Sequence, residues 1–169
     1  YKVTGVQTCA LPISTTGSAT TNITVQDNAF TSTAVSDLYN LNIVTTAGAT
    51  SEILVQNNNF LSSMPGLNLS TDLQGTANWF VVGNVAQYSG ETLPTYPFRF
   101  TTGTTSTGTL YLTGNIASNS GYTLDNEGVG STFQAASPDL NLSGIKGINV
   151  GGFSTTGTID YVPFIPSSQ

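Results

Sequence analysis

The 169-residue chain has no histidine, one cysteine and three basic residues, and each scarcity removes a class of chemistry. Without histidine there is no imidazole to activate a nucleophile, so His-dependent triads are excluded, and with one cysteine besides, so are zinc centres built on His and Cys. Three basic residues against nine acidic ones give a net charge of −6, which offers nothing to neutralise a phosphate backbone, so nucleic acid is not an expected partner. Charged residues make up 7% of the chain, too few for the Glu/Lys ladders at i, i+4 that line exposed helices, so long helices are not expected. No apolar run reaches the roughly 18 residues of a membrane-spanning helix and no basic amphipathic stretch occurs, so membrane insertion is not expected either. Any catalysis would fall to carboxylates, Arg99, Lys146 or tyrosines.

What the chain does have is Thr, Ser, Asn and Gly around short runs containing Val, Ile, Leu and Tyr. These are strand and turn residues: the branched and aromatic side chains fit a pleated surface, while Gly and Asn accept turn conformations. The length suits one domain with a real core. An all-β domain is expected.

An internal repeat refines this. Four segments align without gaps: Asn22 to Asn28, Glu52 to Asn58, Asn78 to Asn84 and Thr109 to Asn115. Their closing asparagines, Asn28, Asn58, Asn84 and Asn115, are 30, 26 and 31 residues apart, a spacing that suits one coil of a solenoid. A second strand precedes three of them: Leu41-Asn42-Ile43, Leu67-Asn68-Leu69 and Phe98-Arg99-Phe100 each start 12 residues before the next strand's first apolar residue, Ile53, Trp79 or Leu110. A constant offset inside a variable period means that two strands and their turn are fixed while the rest of the coil absorbs insertions.

Strand periodicity assigns the faces. Ile23, Val25, Leu41, Ile43, Ile53, Val55, Leu67, Leu69, Trp79, Val81, Phe98, Phe100, Leu110 and Leu112 are expected to point inward. Asn42, Asn68 and Arg99 should point outward, as should Leu54, Phe80 and Tyr111 on successive coils. The four asparagines are expected at one corner, about 4.8 Å apart, each amide bonded to the next and each Asn adopting the left-handed conformation of a sharp turn. The rival fold is a β-sandwich with an antiparallel hairpin from Phe98 to Thr113, but it gives no reason for an asparagine at the same point of four segments.

Two terminal stretches stand apart. Val3 to Ile13 resembles a translated DNA-sequencing adapter, so residues 1–14 are set aside as a non-native segment, leaving residues 15–150 as coils. Past Asn115 the repeat fades, with short strands expected at Tyr122-Thr123-Leu124, Leu140-Asn141-Leu142 and Ile148-Asn149-Val150. Residues 151–169, whose Pro163 and Pro166 cannot donate to a ladder, read as a capping strand or tail.

Strand-then-Asn segments such as Ile53 to Phe60 and Leu110 to Asn115 resemble coils of the right-handed parallel β-helix superfamily that includes pectate lyases and phage tailspikes. The resemblance covers roughly residues 20–120. It implies a single-stranded solenoid of about four to five coils, partial, from an extracellular, cell-surface or virion protein. Pectate lyase relatives use an arginine base and Ca²⁺ held by outer-face carboxylates. Arg99 is the sole arginine and the weak catalytic candidate, but Asn42 and Asn68 stand where carboxylates are needed.

The remaining candidates are surface features. Asp125 and Glu127, two residues apart, could serve Ca²⁺, the one cofactor the sequence admits, although a solvated turn is the plainer reading. Leu54, Phe80 and Tyr111, with Arg99, are the candidates for carbohydrate contact. The aromatic rings could stack on sugars, join a second copy of the chain, or seat a loop such as Gln87 to Tyr96. The expectation is therefore a non-catalytic module presenting a glycan-interacting face, as in a tail-spike, fibre or adhesin. The alternative is a fragment of a polysaccharide lyase or glycoside hydrolase.

Overall fold

The computed structural model describes residues 2–7, 11–32, 39–62, 66–88, 98–117, 122–126, 132–136, 148–150 and 159–161. Strands are the only regular elements among them: β1 (Lys2–Gln7), β2 (Leu11–Thr15), β3 (Thr20–Ser32), β4 (Leu41–Thr45), β5 (Thr50–Gln56), β6 (Asn59–Ser62), β7 (Leu67–Thr71), β8 (Thr76–Val82), β9 (Val85–Tyr88), β10 (Phe98–Thr102), β11 (Thr107–Thr113), β12 (Ile116–Ala117), β13 (Tyr122–Asn126), β14 (Thr132–Ala136), β15 (Ile148–Val150) and β16 (Ile159–Tyr161).

The chain lays down three strands and then repeats. β4, β5 and β6 pair in parallel with β7, β8 and β9, and these pair in parallel with β10, β11 and β12. Each turn of the chain thus stacks on the one before, giving an all-β, solenoid-like pile of parallel strands. One sheet has six strands in the order β15-β13-β10-β7-β4-β2. The other has ten: β12-β9-β6-β3-β5-β8-β11-β14-β16, with β1 also on β3. A sandwich hairpin is ruled out, because β10 and β11 belong to different sheets.

The larger sheet has two arms, since β3 pairs with β5 through residues 20–26 and with β6 through residues 29–32. The second arm, β6, β9 and β12, is the strand that periodicity missed: these segments are two to four residues long, too short to display an alternating pattern. A coil therefore has three strands rather than two.

Between the arms sits the corner, and here the sequence expectation needs correcting. The left-handed residue is the one before each asparagine: Asp27, Asn57, Gly83 and Gly114 have φ of 57°, 53°, 64° and 66°. The turn strain falls on that position, and the asparagine that follows is free to aim its amide along the stack.

The expected inward residues form the core, all at 0 or 1% exposure. In the second arm Phe30 and Phe60 stack with centroids 4.8 Å apart, and Phe98 of the six-stranded sheet meets Phe60 edge-on at 6.1 Å. These contacts tie the arm to the opposite sheet. Trp79, fully buried, packs against Phe100 and leans over Gly108, where a Cβ would lie 2.7 Å from the indole Cη2.

Connections from the six-stranded sheet to the larger one are β-turns at residues 46–49, 72–75 and 103–106, closed by bonds from Ala49, Gly75 and Ser106 N–H to Thr46, Asp72 and Gly103 C=O. Inside this corner Thr15, Thr45, Thr71 and Thr102 line up in register and are buried.

Both terminal stretches contribute strands. Leu11, Ile13 and Thr15 match Leu41, Ile43 and Thr45 in register, and Leu11 and Ile13 pack against the core. Within the stretch set aside as residues 1–14 lie β1 and all of β2 but Thr15, and Leu11 and Ile13 of β2 share the alternation of the coils. At the other end β13 continues the six-stranded sheet, β14 follows β11, and β16, within residues 151–169, pairs with β14. Leu140-Asn141-Leu142 and Pro163 to Gln169 lie outside the described residues.

Candidate functional site

On β3, β5, β8, β11 and β14 the outward residues form files, one residue per coil at about 4.8 Å. The apolar file is Thr24, Leu54, Phe80, Tyr111 and Ala136 in register. On one side of it runs Asn22, Glu52, Asn78, Thr109 and Gln134, and on the other Gln26, Gln56, Val82 and Thr113. Leu54, Phe80 and Tyr111 are each half-buried. The sheet brings these three candidates together as an apolar strip bordered about 7 Å to either side, two residues along the strand, by amides and hydroxyls except at Glu52 and Val82.

The rings are not free platforms. Phe80 and Tyr111 stack on each other with centroids 4.9 Å apart and planes 6° from parallel. Each thus covers one face of the other. Leu54 adjoins Phe80 on the other side, while the register position beyond Tyr111 is an alanine. The loop Gln87 to Tyr96 lies mostly outside the described residues, at 89–97.

Arg99 does not join this strip. It stands on β10 of the six-stranded sheet, in a file running Pro12, Asn42, Asn68, Arg99, Thr123 and Asn149. Asn68 donates its side-chain amide to Asn42 Oδ1 at 2.8 Å, so the file begins as a second, outer amide ladder. No carboxylate occupies it. Asp125 is in register with Thr101, in the neighbouring file, and Glu127 lies outside the described residues. Among the described residues no three of His, Cys, Asp and Glu converge as a metal site would need.

The four corner asparagines lie one above another. Asn58 Oδ1 accepts from Asn28 N–H at 3.1 Å and from Asn28 Nδ2 at 2.9 Å. Asn84 Oδ1 takes the same pair from Asn58, and Asn115 Oδ1 from Asn84, all at 2.9 to 3.0 Å. Each Nδ2 also donates back to the preceding coil: Asn58 to Val25 C=O, Asn84 to Val55 C=O and Asn115 to Val81 C=O, at 2.7 to 2.9 Å. Asn28, Asn58 and Asn84 are at most 3% exposed, so these three face the interior and offer no surface to a ligand, while Asn115 is partly exposed.

One file escaped the sequence reading. Thr20, Thr50, Thr76, Thr107 and Thr132 are in register at the start of successive strands. The N–H of each from Thr50 onward donates to the turn carbonyl of the coil before, at Ala19, Ala49, Gly75 and Ser106. The signal was a threonine three residues ahead of each strand's first inward residue, and it would also have revealed β14.

No family model, no curated protein and no solved structure matches the chain.

Proposed function

We propose that the chain is a non-catalytic module of a virion fibre or secreted adhesin that binds carbohydrate along the outer face of β5, β8 and β11. We propose also that its stack is a right-handed parallel β-helix of the pectate lyase and tailspike kind. The support for handedness is general: crossovers between parallel strands of one sheet are right-handed in about 98% of cases.

The observation that carries the functional reading is the arrangement of files: Leu54, Phe80 and Tyr111 form an apolar strip with Asn22, Asn78, Thr109, Gln26 and Gln56 beside it. A sugar ring has an apolar C–H face and a rim of hydroxyls. Such a strip removes the first from water while neighbouring amides and hydroxyls bond the second. The rings supply apolar area, and Tyr111 adds a phenolic O–H. Strands hold these groups on a backbone already ordered, so little entropy is lost on binding.

Affinity electrophoresis through gels containing single polysaccharides tests the reading. Retardation by at least one polymer, reduced in Phe80→Ser and Tyr111→Ser, is expected. If no polymer of a broad panel retards the protein, the reading is withdrawn. Release of unsaturated products, followed by ultraviolet absorbance and abolished by Arg99→Ala, would replace it with a lyase.

A further inference from the structure

Resting on that carbohydrate-binding reading, we infer that the ligand is an uncharged, extended glycan that runs along the stacking direction of the coils, across the strands rather than parallel to them.

Geometry sets the direction. Across the strip the apolar surface is one residue wide at Leu54, between Glu52 and Gln56, and at Tyr111, between Thr109 and Thr113; at Phe80 it widens on one side to Val82, with Asn78 on the other. Along the stack it continues from Leu54 through Phe80 to Tyr111, a span of about 10 Å at strand spacing. A chain laid along a strand touches at most two apolar side chains, Phe80 and Val82 on β8, before it meets polar groups. A chain laid along the stack touches all three and keeps its hydroxyl rims over the polar files on both sides. A single sugar covers only part of this strip, so occupancy requires an oligomer.

Charge sets the class. Glu52 is exposed and in the file beside the strip, and Asp160 holds a register position of the same file on β16. Asp27, also exposed, stands at the corner just past Gln26, whose Nε2 it binds at 2.9 Å. The register places one basic residue on this sheet, Lys2, opposite Thr24 and two strands from Leu54 at the near end of the strip, whereas Glu52 stands on the same strand as Leu54. Arg99 is on the other sheet. A polymer with a carboxylate on each sugar therefore meets fixed negative charge within the roughly 8–10 Å over which salt leaves such repulsion effective. A neutral glycan is not repelled by it.

The test is affinity electrophoresis in neutral polymers, mixed-linkage β-glucan and xyloglucan, against the acidic polymers polygalacturonate and alginate, at low and at physiological salt. The expected result is retardation by a neutral polymer at both salts, with acidic polymers several-fold weaker at low salt and gaining as salt rises. Glu52→Gln should raise the ratio of acidic to neutral binding. Competition by oligomers of the retarding glycan should begin at the trisaccharide, with the monosaccharide ineffective. If acidic polymers bind as well as or better than neutral ones, or if the monosaccharide competes as well as the oligomers, this inference is overturned while the carbohydrate reading stands. If no polymer retards the protein, the carbohydrate reading itself fails.

Discussion

Asn84 Oδ1 accepts both the backbone N–H and the side-chain amide of Asn58, each at 2.9 Å. That double acceptance makes the corner cooperative: one oxygen satisfies two donors of the coil before, and the same side chain returns a proton to Val55 C=O. Truncating Asn84 to alanine removes the partners of a buried N–H and a buried C=O at once. Each group left unpaired costs about 1–3 kcal/mol. Asn58→Ala and Asn84→Ala should therefore lower the unfolding free energy by an amount at the upper end of that range, read as a lower denaturant midpoint at an unchanged m-value. A wild-type midpoint for either variant would show that the ladder adds no net stability.

Turn conformation gives a prediction of the opposite sign. Leu73 and Gln74 both have positive φ, 49° and 67°, and Leu73 is 56% exposed. Side chains in the left-handed region cost about 1–2 kcal/mol each, and a turn with positive φ at both central residues favours Asn-Gly. The double variant Leu73→Asn/Gln74→Gly should raise Tm by several degrees, at about 2–4 °C per kcal/mol for a chain of this size. At Gly83 the change runs the other way. Its φ is +64° and an added Cβ would lie 2.7 Å from Asn57 Oδ1, so Gly83→Ala should lower Tm.

Gly108 and Trp79 pack closely in the core. A Cβ at 108 would come within 2.8 Å of two indole carbons and 2.6 Å of Thr102 Cγ2. Gly108→Ala should cost about 1–3 kcal/mol as overpacking. Trp79→Ala should cost about 3–5 kcal/mol as a cavity. Trp79 is the one tryptophan of the chain, so its emission reads both the wild type and Gly108→Ala. The native spectrum should be blue-shifted by burial, and Gly108→Ala should lose that shift at lower urea. An unchanged transition in Gly108→Ala would mean that the indole has room to move.

How much of this was visible in the residues follows from what repeats. Ile53-x-Val55 and Leu41-x-Ile43 alternate strongly and recur, so the core and both main faces could be assigned from spacing alone. Val85 to Tyr88 and Ile116-Ala117 are too short and mixed to alternate, so the second arm was missed. The asparagine row was legible as a period, but its backbone conformation was assigned one residue too late, because Asp27, Asn57, Gly83 and Gly114 share a φ and no residue type. Leu11 and Ile13 carry the same alternation as Leu41 and Ile43 and match them in register. At the candidate site, spacing put Leu54, Phe80 and Tyr111 in one file. It could not show that the two rings spend a face on each other, which depends on side-chain torsions.

The buried threonine file is not uniformly satisfied. Thr15 Oγ1 shares a hydrogen bond with Ser51 Oγ at 2.9 Å, whereas Thr45 Oγ1 and Thr71 Oγ1 are buried and meet no partner among the described residues. A buried hydroxyl without a partner carries its desolvation cost uncompensated, and valine keeps the shape while removing that cost. Thr71→Val should be neutral or raise stability by up to about 1–2 kcal/mol, whereas Thr15→Val should lower it by leaving Ser51 unpaired. Urea denaturation of the two variants side by side checks the contrast, and equal losses in both would show that Thr71 has a partner after all.

Phe80 and Tyr111 raise a question that stability and binding answer separately. Their stack is a cross-strand pair of adjacent coils, and such aromatic pairs contribute about 0.5–1.5 kcal/mol beyond area burial. A double-mutant cycle on Phe80→Ala and Tyr111→Ala should return a coupling energy of that size in urea denaturation. Both rings also lie on the proposed glycan strip, so each single variant should weaken retardation in the gel as well. The distinguishing variant is Tyr111→Phe, which keeps the stack and removes only the phenolic O–H. If the strip binds hydroxylated rims as argued, Tyr111→Phe should unfold at the wild-type midpoint yet migrate faster than wild type through the retarding polymer. Wild-type migration would mean that Tyr111 acts through its ring alone, and a shifted midpoint would mean that its O–H holds the sheet rather than the sugar.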